Sequence, residues 1–73
     1  MPTPSEAHLL ALLAQAEQDL TEAEQRREHN ARILAGLHEE TEARAAVERV
    51  LREIDRTIAV IRANRTLLEL ILD

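Results

Sequence analysis

The chain has 73 residues, a net charge of −5, no cysteine and no aromatic side chain. Those facts exclude a disulfide or thiolate-metal scaffold, a base-stacking platform and the clustered basic charge that grips nucleic-acid phosphates. A domain this small rarely builds a deep core alone, and one Gly with two Pro leaves little for turns. Strand-type alternation is absent, so an all-α chain is expected.

The first helix has a written start. Thr3 can cap it, Pro4 occupies the first helical position, and Glu6 lies where a capping box needs an acid. No Gly or Pro follows until Gly36, which predicts a helix over about 4–35. Leu9, Leu13, Ala16, Leu20, Ala23, Arg27, Asn30, Leu34 and Leu37 recur in steps of four and three. That is a heptad seam. Between Glu17 and Glu28, Leu20 and Ala23 are the main apolar contacts, so this stretch reads as an outer, solvated helix.

Gly36 reads as the helix C-cap. Arg26, Arg27, His29 and Arg32 precede it, and Glu39, Glu40 and Glu42 follow. Each sign then suits the adjoining end of a helix dipole. A turn over about 36–38 and a second helix over about 39–72 are expected. His38 or Thr41 must supply the second N-cap. One unbroken helix is the alternative, but its seam would carry many charges, and a mid-helix Gly costs about 1 kcal/mol relative to Ala.

The stretch from Val47 to Leu72 organises the chain. Val47, Val50, Ile54, Thr57, Ile61, Asn64, Leu68 and Ile71 form its expected seam. Leu51, Ile58 and Leu72 widen the stripe on one side, and Val60 and Leu67 on the other. So short a connection makes the two helices antiparallel neighbours. Leu9, Leu12 and Leu13 then sit beside the end of the second helix, where more than one face is apolar. A surplus of this kind marks a binding surface. The expected contact between protomers comprises Val60, Ile61, Asn64, Leu67, Leu68, Ile71 and Leu72, together with Leu9, Leu12 and Leu13.

The polar seam residues have simpler readings beside them. An amide at Asn64 or Asn30 would penalise wrong registers if buried, or bond water at the edge of a core. Thr57 can return its hydroxyl to the carbonyl one turn back. Arg27 is expected to lay its stem on the core and reach a carboxylate, with Glu48 the nearest by hairpin pairing. His8, His29 and His38 lack the spacing of a metal site, so none is expected. His29 next to Asn30 suggests pH-dependent disassembly, but its position off the seam argues against that role.

Enzyme motifs are missing: there is no Cys nucleophile, no Gly-rich phosphate loop and no Ser–His–acid arrangement. No cofactor and no small-molecule ligand are expected. The longest apolar run, Leu9 to Ala14, is far short of a membrane span. Met1-Pro-Thr-Pro lacks the basic start and apolar core of a signal peptide, so a soluble, cytoplasmic protein is expected.

The chain resembles de novo designed helical hairpins that form cyclic homo-oligomeric bundles. The resemblance covers its whole length. It rests on Thr3-Pro4-Ser5-Glu6, the single Gly36, arms of equal length and heptads with isolated Asn. Designed helices usually carry many Lys, whereas all nine basic residues here are Arg. Natural hairpin dimers of the RNA-binding Rop type would share the architecture, but this chain lacks a basic face. The expected fold is thus a two-helix antiparallel hairpin protomer assembling into a multi-chain helical bundle. The expected partner is the chain itself, as a dimer in preference to a trimer or tetramer, with no catalytic or ligand-binding activity. A heteromeric module whose stripe grips another chain is the alternative, as is a Rop-like regulatory dimer.

Overall fold

A computed structural model describes residues 1–73. It contains two helices, α1 (Pro4–Ala35) and α2 (Glu42–Leu72), packed against each other as a hairpin. The body is a rod of 56 × 15 × 14 Å. The first cap forms as its residues dictate. The Thr3 hydroxyl accepts from the Glu6 backbone N–H at 3.1 Å and donates to the Glu6 carboxylate at 3.1 Å. The Thr3 carbonyl accepts from Ala7 at 2.8 Å, the first helical bond.

Gly36 ends α1 without using glycine's special freedom. Its φ of −83° and ψ of −8° are open to any L-residue, and its N–H bonds the Arg32 and Ile33 carbonyls. A Cβ there would meet the Ile33 carbonyl oxygen at 3.5 Å, an ordinary contact. Gly36→Ala should therefore stabilise the hairpin slightly, by about 0.4–1 kcal/mol, because the unfolded chain loses freedom. X-ray scattering should return an unchanged shape; a rod of twice the length would mean that glycine flexibility makes the turn.

The second helix starts at Glu42, three residues later than its charge pattern suggests, because Thr41 is the residue that caps it. Its hydroxyl accepts from the Arg44 N–H at 3.3 Å. Arg44 closes the turn. Its Nη1 donates to the Leu37 carbonyl at 2.9 Å, while its Nε lies 3.1 Å from Glu48 and 3.7 Å from Glu40. Leu37 has left the helix, so its carbonyl has no helical donor, and a half-buried guanidinium supplies one. Arg44→Ala should cost about 1–2 kcal/mol in chemical denaturation at fixed protein concentration. Arg44→Lys should recover part of this at most, because a single ammonium nitrogen cannot stand where both Nε and Nη1 do, one at Glu48 and the other at the Leu37 carbonyl.

The core follows heptad logic on both helices, with one shift. In α1 the expected seam holds except at Arg27, which is exposed: Ala16, Leu20 and Ala23 are buried, and Leu9, Leu13, Asn30, Leu34 and Leu37 are half-buried. In α2 the residues that face α1 are Val47, Leu51, Ile54, Ile58, Ile61, Arg65, Leu68 and Leu72. Val50, Thr57, Asn64 and Ile71, expected on that seam, are exposed. Both sets obey the same stride. The hairpin adopts the one that buries Leu51 and Ile58 in place of Val50 and Thr57, a gain in apolar area. The cost is a seam position given to Arg65, whose Nε is covered and lies 3.4 Å from Glu69 without a hydrogen bond.

Leu20, Ala23, Ile54 and Ile58 form the central cluster, with Ile61 against it. Small residues of α1 face bulky ones of α2, which lets the helices approach closely. Arg27 finds Asp55 across the hairpin, not Glu48 as its spacing suggests. Glu48 is already engaged by Arg44 on its own helix. The hydrogen bond that Arg27 Nε donates to Asp55, then the negative charge of that carboxylate, raise the Arg27 pKa above its ordinary value. Glu24 and Arg62 form a looser link between the helices at 3.8 Å.

Candidate interaction surface

The hairpin is under-packed as a monomer. Only 6 of 73 residues are buried, and no polar residue is among them. The accessible surface is 5594 Å², against about 4,600 Å² for a compact monomer of this mass. The radius of gyration is 16.7 Å, against about 11 Å for a compact chain of this length. Two helices side by side can cover one stripe each, and α2 has more than one.

The uncovered apolar side chains are not scattered. Val60 is 69% exposed, Leu67 59%, Leu70 66% and Ile71 63%. With Asn64, also exposed, Val60, Leu67 and Ile71 make a second seam on α2, again in steps of four and three. Leu12 of α1 is exposed near the same end. Of the other residues expected at the contact, Leu68 is buried between the protomer's own helices, so it offers little to a partner. Leu9, Leu13, Ile61 and Leu72 are half-buried in that same inner seam.

The two amides differ in their surroundings. Asn30 is half-buried and donates to the Arg26 carbonyl at 2.8 Å, which satisfies it inside its own helix. The Asn64 side chain makes no hydrogen bond within the chain and stands in solvent among apolar neighbours. Thr57 donates to the Glu53 carbonyl at 3.1 Å, as its type and place suggest.

One broad side of the hairpin gathers most of the exposed apolar residues, with Leu10 and Leu70 lying off it. Asp19, Glu22, Ala23 and Arg26 of α1 line a groove there with Thr57 and Ile61 of α2. Heptad steps from Asp19 and Arg26 reach Leu12 and Ile33, both exposed. Heptad steps from Thr57 reach Val50 on one side, then Asn64 and Ile71 on the other, all exposed. Ile33 and Val50 were missed as surface residues; their spacing of seven from Arg26 and Thr57 was the available signal. The opposite groove is lined mainly by charged residues, including the Arg27–Asp55 and Arg62–Glu24 pairs.

No cluster of His, Asp and Glu is placed to hold a metal ion. His8, His29 and His38 are all exposed. No helix is long and apolar enough to cross a membrane. Fold and surface together define a two-helix hairpin with an uncovered apolar side. Compared with protein-family models, curated proteins and solved structures, the chain finds no match in any of the three.

Proposed function

We propose that the chain is a structural, self-assembling protein whose hairpins associate into a homo-oligomeric helical bundle. The dimer, giving four helices, is the favoured form, because cyclic dimers are the commonest closed assemblies. The observation that carries this reading is the exposed seam of Val60, Leu67 and Ile71 on a protomer with so small a core. Apolar area left in water by the hairpin becomes stabilising when a second copy covers it, at about 25 cal/mol per Å².

The test is the mass of the pure protein across a range of concentrations by light scattering. The expected result is twice the chain mass of 8.3 kDa, with a melting temperature that rises with concentration. A monomer at every concentration would overturn it. If that monomer became ordered only with another chain, the same surface would belong to a heteromeric module.

A further inference from the structure

We infer that two hairpins pair through this broad side with their ends reversed, so that α1 lies on α1 of the second copy and α2 on α2. The inference rests on the self-association proposed above and adds orientation, register and an intermolecular ion pair to it. Eight residues of the face are symmetric about its middle, while Leu67, whose mirror position is the buried Ile54, stands outside the pattern. On α2, Val50 and Ile71 share a midpoint with Thr57 and Asn64, between Val60 and Ile61. On α1, Leu12 and Ile33 share a midpoint with Asp19 and Arg26, between Glu22 and Ala23. The two midpoints lie at nearly the same level, since Glu22, Ala23 and Ile61 line one groove.

A twofold axis through that level, perpendicular to the helices, pairs like with like. Val50 of one copy meets Ile71 of the other, and Ile33 meets Leu12. Thr57 meets Asn64, which gives the solvent-facing amide a hydroxyl partner. Asp19 meets Arg26. Val60 lies at the axis and meets its own copy.

Charge decides between this arrangement and its competitor. The second way to stack the same faces keeps both turns at one end and puts α1 against α2 of the other copy. The apolar layers would still match there. However, both copies of Arg26 would share one layer and both copies of Asp19 another, with no counter-charge between them. Like charges drawn together in a partly desolvated layer cost far more than on an open surface, whereas reversed ends give each of those two layers one Asp19 and one Arg26; Glu22, which also lines the groove, then faces its own copy at the axis, one like-charge contact against two ion pairs. Arg26 forms no ion pair within its own chain, so its guanidinium is free to take the partner's Asp19. Asp19 accepts from Gln15 through one oxygen at 2.8 Å and keeps a second for Arg26.

Introduced cysteines test this directly, because the chain has none of its own. Disulfides require Cα separations of about 4.4–6.8 Å. Under mild oxidation Val60→Cys should form covalent dimers by itself. Val50→Cys and Ile71→Cys should crosslink when mixed and not alone, since each lies roughly 30 Å from its own copy along the axis. Crosslinking of Val50→Cys with Ile33→Cys, and none of Val60→Cys with itself, would overturn the reversed arrangement and establish the competitor. A charge swap gives a second readout. Asp19→Arg should weaken association at least tenfold, and adding Arg26→Asp should restore it; failure of the rescue in a folded dimer would overturn the ion pair. A protein that scatters as a monomer overturns the self-association itself, and that outcome is distinct from a dimer with the wrong crosslinks.

Discussion

Ile54→Asp should abolish the helical signal of this protein in far-ultraviolet circular dichroism. Ile54 is 3% exposed, the most buried side chain in the chain. It packs with Leu20, Ala23 and Ile58, and no polar group is buried with them to receive a carboxylate. The substitution therefore removes the apolar side chain and leaves a charge without a partner, a combined cost of about 4–5 kcal/mol. A chain of this size has little stability to lose, roughly 5 kcal/mol or less. Helices of this composition are marginal once their packing face is lost, so helicity should fall with the core. Arg56→Asp is the control. Arg56 is exposed on the same helix and its one ion pair is with Glu53 at 3.7 Å. It should move stability by about 0.5 kcal/mol or less. A fully helical Ile54→Asp protein would show that the inner seam has been misplaced.

Val60→Glu should dissociate the assembly and leave a protomer behind. Val60 is 69% exposed in the hairpin, so no contact within the protomer depends on it. In the pairing described above, two copies of Val60 face each other across the axis. The change then removes two buried apolar side chains and sets two carboxylates together. At about 1.5–3 kcal/mol for each Val, the dimer weakens by roughly a thousandfold before the repulsion is counted. Light scattering should return 8.3 kDa at concentrations where the parent protein is larger. Its melting temperature should stop depending on concentration. Val60→Leu should keep the parent mass. An unchanged mass for Val60→Glu would remove this residue from any interface.

The two substitutions separate what the two seams of α2 do. They also mark where reading residues in order succeeded and where it stopped. α1 was legible in its bounds, its first cap and most of its seam, because those signals agree. Thr3 and Pro4 start it, its charges fit the dipole, and a single seam from Leu9 to Leu37 is apolar enough to stand out. The hairpin itself was legible from one Gly between two long periodic segments. In α2 the same rules allowed two answers. Val50, Thr57, Asn64 and Ile71 obey the stride as well as Leu51, Ile58, Arg65 and Leu72 do. Periodicity states which residues share a face and does not state which face meets the partner helix.

Composition and spacing alone determined an all-α chain of two antiparallel arms, its first cap and a surplus of apolar surface near its ends. These follow from local rules, in which each residue is judged against neighbours a few positions away. Tertiary structure decided what local rules leave open. It chose the α2 seam by the area that Leu51 and Ile58 bury against α1, and it set Asn64 outside. It gave Arg27 to Asp55, since Arg44 had already taken Glu48 while closing the turn on the Leu37 carbonyl. Each of those choices depends on the relative rotation and register of two helices, quantities that exist only once both are packed.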